Sequence, residues 1–264
     1  MNPVQTGTDR LSATKAHRDF TKETVVTNVE AARKPILPKW ESDARESLKA
    51  AIRQFNKPLQ DIVARDANEG DTRLLVTDFL CEGLGYDKFE DLTTEFAVRG
   101  EFADYGVRIE KQLVAFIEVK RAAQKLNVRH LRQVETYAVK EGLEWIMLTN
   151  GQVWQAYHVY AKTGQQVATH LALEVDILSD EPIARKIDGL FYLHRQAIKR
   201  GSIDELWKRK AATSAGALAA VLLSDVVLDA VRKEIRRTSK YNPEPDELTR
   251  IIRNEVVRPE LLLK

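Results

Sequence analysis

Two acids and a lysine between Asp104 and Lys120 have the types and spacing of a metal-dependent hydrolytic site. Asp104 lies in an alternating run that predicts one strand, and Glu118 ends a second, apolar run two residues before Lys120. A turn is predicted over residues 110–112, so both acids should lie at the same end of a hairpin, with Glu118 and Lys120 on one face. Carboxylates this close repel each other unless a cation lies between them, and oxygen ligands of this kind suit Mg²⁺ or Mn²⁺. The pattern predicts a divalent-metal site where Lys120 would orient or help deprotonate a metal-bound water.

Helices are predicted on both sides of this hairpin in the sequence. Asn68 is a candidate N-cap for a helix up to residue 84, which places Glu69 in the first turn, where the helix dipole alone would also stabilise a carboxylate. Asp71 competes with Glu69 as a functional acid, although its spacing from Asn68 indicates a capping position. In the helix predicted over residues 127–141, Gln133 and Tyr137 lie away from the apolar side. From the residues alone, that face could be solvated or could border a cleft.

Four segments resemble, in order, the core of the PD-(D/E)XK nucleases. They are similar, more narrowly, to the N-terminal nuclease domain of type I restriction enzyme R subunits and to related stand-alone bacterial proteins. The matching segments are NEGDTR at 68–73, ADY at 103–105, IEVK at 117–120 and QVETY at 133–137, and LTNGQVW at 148–154 also fits. One difference is Ala103, where the family usually has a proline before the first acid. The resemblance covers about residues 45–175.

The resemblance implies a site, a cofactor and a partner. The metal, Mg²⁺ or Mn²⁺, would be held by Asp104, Glu118 and the carbonyl oxygen of Val119, with Glu69 as the accessory acid. Lys120 would position the attacking water. Gln133 and Tyr137 would orient the DNA strand, with His130 as a surface residue or a phosphate contact.

The hydrophobic periodicity predicts an α/β fold, and the resemblance implies a restriction-endonuclease-like mixed β-sheet flanked by helices, followed by a C-terminal helical region. We expect a flexible arm over residues 1–38, a nuclease-like domain over 39–178 and helices over 179–264.

A first helix over 41–65 should kink or break at Pro58. Strands are predicted at 92–98, 103–109, 113–119, 144–148, 153–159 and 166–173. In the tail, Ser179 and Ser202 are candidate N-caps, residues 215–231 form one apolar run, and a last helix spans 246–257. This tail should pack on the sheet domain or on a second copy.

Composition limits the other possibilities. The chain has 264 residues, 44% of them hydrophobic, and a net charge of +2, so any DNA contact must come from a local patch. One such patch could be the basic stripe over residues 232–240, which could equally be a solvated helix end. The single cysteine, Cys81, excludes a disulfide framework. No apolar run approaches the ~20 residues that cross a membrane, so we expect a soluble, cytoplasmic protein.

Together these features predict a Mg²⁺-dependent DNA endonuclease of restriction or phage defence. The sequence has no GxxxxGK[ST] loop, so this chain is not expected to be a translocating motor by itself. The alternative is a non-cleaving nuclease-fold module that acts as a nucleic-acid-binding or scaffolding subunit. Either protein could form a homodimer or depend on a recruiting subunit.

Overall fold

The structure is a computed structural model that describes residues 37–98, 101–160 and 167–261, with no side-chain description for Val98, Glu101 and Gln133. The predicted arm over 1–38 therefore lies outside the described residues, apart from its last two. The α-helices are α1 Lys39–Ala64, α2 Glu69–Glu82, α3 Arg132–Glu141, α4 Ile183–Leu190, α5 Arg195–Lys199, α6 Ser202–Ala212, α7 Ala215–Leu222, α8 Asp225–Ser239 and α9 Pro245–Ile251. The strands are β1 Leu92–Val98, β2 Glu101–Ile109, β3 Gln112–Val119, β4 Trp145–Thr149, β5 Val153–Tyr160 and β6 Ala168–Asp176. Short 3₁₀ turns span Val128–Leu131, Phe191–Leu193 and Pro259–Leu261, and a π-helical turn spans Ile252–Val256.

These strands form one mixed sheet in the order β1-β2-β3-β4-β5-β6. Neighbouring strands are antiparallel except β3 and β4, which are parallel and are connected through α3. A parallel pair needs such a crossover, whereas the other connections can be short. The predicted mixed α/β sheet with flanking helices and a C-terminal helical region is confirmed.

The two faces of the sheet are covered by different helices. Residues from α1, α2 and α4 to α6 pack on one face and bury large side chains such as Phe79 and Trp154. On the other face α3 packs over Phe116 and Ile146. Alternate residues of β3 belong to different clusters, as the period of two for a strand requires. The sheet is therefore covered on both faces around the strands that carry the two acids.

Helix α1 continues through Pro58, so the chain does not break at that position and, of the two predicted outcomes, a kink stays a prediction. A proline inside a helix loses one backbone hydrogen bond and crowds the preceding turn. Here the apolar side is buried before and after the proline, at Phe55, Leu59 and Ile62. That burial on both sides offsets the local cost.

The C-terminal helices differ from the prediction in their boundaries. The predicted run over 215–231 is divided into α7 and α8 at Leu223 and Ser224, because Ser224 takes the extended backbone of an N-cap. Ser179 is not a cap, since its hydroxyl donates to the Asp176 carbonyl and α4 starts after Pro182. Ser202 is the first residue of α6, after Gly201.

The same helices divide into two packing groups. Helices α4 to α6 join the core on the sheet. The buried side chains of α7 to α9, which include Leu228 and Leu248, lie in neither of the two sheet clusters. Val226 on α8 is 81% exposed. Packing of the whole tail on the sheet domain or on a second copy therefore stays a prediction for α7 to α9. No helix in the described ranges is long and apolar enough to cross a membrane.

Candidate active site

The hairpin of β2 and β3 carries the two predicted acids. The antiparallel register runs to the pair Tyr105 and Ile117, so Asp104 and Glu118 occupy the next step. At that step the carboxylate of Asp104 interrupts the regular ladder, because its Oδ2 accepts a hydrogen bond of 2.7 Å from the backbone N–H of Val119. This contact fixes the Asp104 side chain against the end of β3. The predicted placement of both acids on adjacent antiparallel strands is confirmed.

Lys120 joins the second acid to helix α2. Its Nζ lies 2.5 Å from Glu118 Oε1 and 3.8 Å from Glu69 Oε2. The side chains of Lys120 and Glu118 are 17% and 13% exposed, so this ion pair is shielded from water, while Glu69 is more open. One ammonium therefore bridges an acid from the sheet and an acid from the first turn of a helix.

Burial and charge act on the protonation of this pair. Burial raises the pKa of Glu118 above its ordinary value, the negative charges of Asp104 and Glu69 add to that effect, and the hydrogen bond from Lys120 opposes it. Burial alone would lower the pKa of the Lys120 ammonium. The hydrogen bond to Glu118 and the charges of Glu118, Glu69 and Asp104 outweigh it, and the pKa is raised. Lys120 is consequently a hydrogen-bond donor in this arrangement, and the charges of Asp104 and Glu69 both act on Glu118.

The N-terminus of α2 is held in position by local hydrogen bonds. Asn68 caps the helix by accepting a hydrogen bond of 2.8 Å from the N–H of Asp71. The buried hydroxyl of Thr72 donates to the Asn68 carbonyl and accepts from the N–H of Ala122, two residues after Lys120. This second bond ties the helix to the chain that leaves β3. The competing acid Asp71 instead forms an ion pair with Arg65 at 2.9 Å.

Arg73 is a site residue to which the sequence prediction gave no role. Its Nη1 lies 3.2 Å from Asp104 Oδ1, and its Nη2 lies 3.7 Å from Glu95 Oε1. The hydroxyl of Tyr105 donates to the Arg73 carbonyl and shares a hydrogen bond with Thr77, so the helix turn that carries Arg73 is fixed to β2. Its signal in the sequence is its spacing, because Arg73 is four residues after Glu69 and must share its helix face.

Helix α3 places the two predicted strand-orienting residues differently. The ring of Tyr137 is fully buried and packs against Phe116, at a centroid distance of 6.4 Å. The expectation that Tyr137 lies on a face open to solvent or to a cleft is therefore corrected, because α3 turns that side onto the sheet. The side chain of Gln133 lies outside the described residues.

His130 lies in the 3₁₀ turn before α3, where a capping box with Asn127 and a hydrogen bond of 3.0 Å between its Nε2 and Gln124 Nε2 hold it. Burial lowers the pKa of His130, and the positive charge of Lys120 adds to that effect. The charge of Glu69 acts in the opposite direction and only partly offsets this lowering of the His130 pKa. Its earlier interpretation, as a surface residue or phosphate contact, stays a prediction.

The arrangement of acids, lysine and supporting helix can be compared with known families. Residues 68–171 match the family model of the type I restriction enzyme R protein N terminus (HSDR_N). The match begins at the N-cap of α2 and ends in β6, so it includes Glu69, Asp104, Glu118 and Lys120. It confirms the resemblance that the hairpin motifs indicate. Nothing among the curated proteins or the solved structures matches the chain.

The donor chemistry of this site suits a hard divalent cation. Asp104 and Glu118 supply carboxylate oxygens from adjacent strands, and Glu69 lies on the other side of Lys120. In the described part of the chain, no three His, Cys, Asp or Glu side chains are close enough to form a metal cluster. Instead, Arg73 and Lys120 neutralise Asp104 and Glu118. The residue types fit Mg²⁺ or Mn²⁺. For a metal ion to bind, Arg73 would have to share or release Asp104, and Lys120 would have to share or release Glu118.

Arg73→Gln should make the metal-free protein less stable by about 1–2 kcal/mol, because Asp104 would lose the cation beside it. The effect should stay below the ~3–5 kcal/mol of a broken buried pair, since Arg73 is 35% exposed. Added Mg²⁺ or Mn²⁺ should raise the melting temperature of the variant more than that of the parent, because a divalent ion replaces the missing charge.

Thermal unfolding with and without the metal measures this effect. The matched control is Arg65→Gln, which removes the partner of Asp71 at the exposed start of the same helix. It should leave the metal-dependent shift of the parent unchanged. An equal shift for Arg73→Gln and Arg65→Gln would show that Arg73 does not compete with a metal for Asp104.

Proposed function

We infer that this chain is a metal-dependent DNA endonuclease that hydrolyses phosphodiester bonds with Mg²⁺ or Mn²⁺, in restriction or phage defence. The observation that carries the proposal is the contact of Lys120 with acids from both β3 and α2. The match of residues 68–171 to the N-terminal domain of a restriction enzyme also supports the proposal. A largely buried lysine in contact with two carboxylates is costly for a purely structural surface, and such groups concentrate at functional sites.

Each residue has a distinct role in this proposal. Asp104, Glu118, the Val119 carbonyl oxygen and Glu69 would hold the ion. A divalent ion in that position would supply Lewis-acid activation of a water molecule and stabilise charge on the phosphate. Lys120, as a charged donor, would orient the attacking water or a non-bridging phosphate oxygen for in-line attack.

Two further side chains would support the DNA strand. Arg73 can leave Asp104 and present its guanidinium to a phosphate, for which its planar fork is well suited. Gln133 remains proposed as a strand contact. Tyr137 is buried, so it would act indirectly: its packing would hold α3, and with it the backbone at Gln133, in place.

A cleavage assay tests the proposal. Purified protein is incubated with supercoiled, linear and single-stranded DNA in Mg²⁺, in Mn²⁺ and in EDTA. Cleavage of at least one substrate with either metal, and none in EDTA, is the expected result. The Glu118→Gln variant serves as the control for a contaminating nuclease, since it should be inactive in all conditions. Intact substrates in both metals would contradict the proposal.

One observation favours the second function, a non-cleaving nucleic-acid-binding or scaffolding module. Arg73 and Lys120 already neutralise Asp104 and Glu118, so the acids do not need a metal to relieve their repulsion. A module of this kind would bind DNA equally well in Mg²⁺ and EDTA and would leave it uncut. The same cleavage assay, read beside a binding assay, separates the two functions.

A further inference from the structure

The chain between the second acid and the first turn of α3 has an unusual charge distribution. Residues 119–134, VKRAAQKLNVRHLRQV, contain five lysines or arginines and no aspartate or glutamate. Over the whole chain, 41 basic residues face 39 acidic ones, so the remainder of the protein carries more acids than bases. The excess positive charge is therefore concentrated in one stretch that begins at Lys120.

The cations of this stretch that follow Lys120 are exposed to solvent. Lys125, Arg129 and Arg132 are exposed, and within the described residues none of them forms an ion pair with an acid. Arg121 has only an exposed contact of 3.3 Å with Asp66. By contrast, three cations of the basic stripe on α8, Arg232, Lys233 and Arg237, are paired with acids of the same helix. The stretch after β3 thus carries unneutralised charge, which the α8 stripe largely does not.

Several hydrogen bonds hold this stretch beside the acids. The N–H of Ala122 donates to Thr72 on α2, and the carbonyls of Ala122 and Gln124 accept from Asn150 Nδ2 at 3.2 and 2.9 Å. Within the segment, Nε2 of His130 lies 3.0 Å from Nε2 of Gln124, which ties the turn before α3 to the chain that leaves β3. The segment therefore leaves the candidate active site at Lys120 and is fixed to α2 and to the turn between β4 and β5.

We propose that Lys125, Arg129 and Arg132 form the surface that binds the phosphate backbone of DNA and guides it to Asp104 and Glu118. The proposal rests on the proposed function for the identity of the polymer, but it assigns the contact to a specific part of the chain. Exposed cations on a fixed scaffold attract a polyanion through counterion release, without selecting a base sequence. Binding should therefore weaken with salt and should be similar for DNA duplexes of different sequence.

The test measures the binding of a fluorescently labelled DNA duplex by anisotropy across a salt series, in EDTA and in Ca²⁺, so that cleavage is not needed for the readout. The triple variant Lys125→Gln, Arg129→Gln, Arg132→Gln should bind at least about tenfold more weakly than the parent at low salt. The slope of log K against log salt should become shallower by about 1 for each phosphate contact removed. The loss should be the same for two unrelated sequences.

A matched triple variant on α8, Lys233→Gln, Arg236→Gln, Lys240→Gln, changes the net charge equally and controls for long-range attraction. It should retain most of the parent's affinity and salt slope. Equal losses in the two triple variants, or no binding by the parent in either condition, would overturn the proposal. Because all measurements are made without a cleavage-supporting metal, failure of the nuclease reaction leaves this result interpretable, and a thermal melt confirms that both variants fold.

Discussion

Replacing Lys120 with methionine should lower DNA cleavage by about a hundredfold or more while the fold is retained, the size expected for losing one well-placed group at the reacting phosphate. Methionine keeps most of the apolar stem and removes the charge. Metal binding should survive, since the proposed ligands are Asp104, Glu118, Glu69 and a backbone carbonyl oxygen. In the metal-free state the variant should be less stable, by up to about 3 kcal/mol, because Glu118 loses its buried partner.

The pH for the Lys120→Met measurements follows from the direction in which the pKa of Lys120 is shifted. Because the folded-state pKa of Lys120 is raised from its ordinary value of 10.5, the stabilisation by its charge is fully present below that value. It is lost only as the pH rises through the raised value. Measurements near neutral pH therefore compare a charged lysine with a neutral side chain.

Three measurements compare Lys120→Met with the parent. Single-turnover cleavage gives the rate, calorimetric titration with Mg²⁺ gives metal binding, and thermal unfolding gives stability. The control is Lys208→Met, the same substitution at an exposed lysine of α6 outside the acid cluster and the basic stretch, which should leave single-turnover cleavage within a few-fold of the parent. If Lys120→Met cleaves as fast as the parent, Lys120 does not act on the water or the phosphate. If Lys120→Met loses both cleavage and Mg²⁺ binding, the lysine has a structural role in assembling the acids.

The sequence was informative where a short-range pattern is sufficient to determine structure. The alternation around Asp104 and the apolar run before Glu118 predicted adjacent antiparallel strands, because side-chain period and turn position fix a hairpin register. Asn68 was correctly expected to cap α2, since the cap depends on neighbours three residues away. The contact between Glu118 and Lys120 also follows from the two-residue period of a strand.

Features that depend on long-range packing were harder to predict. Arg73 reaches Asp104 across 31 residues of sequence, and nothing local to either residue specifies that pair. Tyr137 lies off the apolar stripe of α3, yet the helix contacts the sheet over a wider arc than the stripe indicates and buries the ring. The run over 215–231 has no glycine or proline near Ser224, so its division into two helices was not marked by the usual breakers.

Asp104→Asn should abolish Mg²⁺ binding and reduce cleavage below detection, because it removes the carboxylate that β2 contributes to the proposed metal site. The amide oxygen of asparagine can still accept the N–H of Val119, so the contact that fixes the side chain is retained. Its amide nitrogen cannot accept from Arg73, however, and the guanidinium loses its partner. We therefore expect a folded protein with a modest loss of stability and no calorimetric signal for Mg²⁺.

The matched control for Asp104→Asn is Glu95→Gln, which removes the other, more exposed acid beside Arg73 and should keep both Mg²⁺ binding and cleavage. A double-mutant cycle of Asp104→Asn with Arg73→Gln separates the ion pair from the metal site, since it measures the coupling energy of the two side chains in the absence of metal. A measurable coupling energy between Asp104 and Arg73, together with loss of Mg²⁺ binding in Asp104→Asn, would support two roles for Asp104. It would pair with Arg73 in the metal-free protein and bind the metal ion when that is present. If Asp104→Asn bound Mg²⁺ as tightly as the parent, Asp104 would be a structural partner of Arg73 and Val119, and the metal would have to be held by other residues.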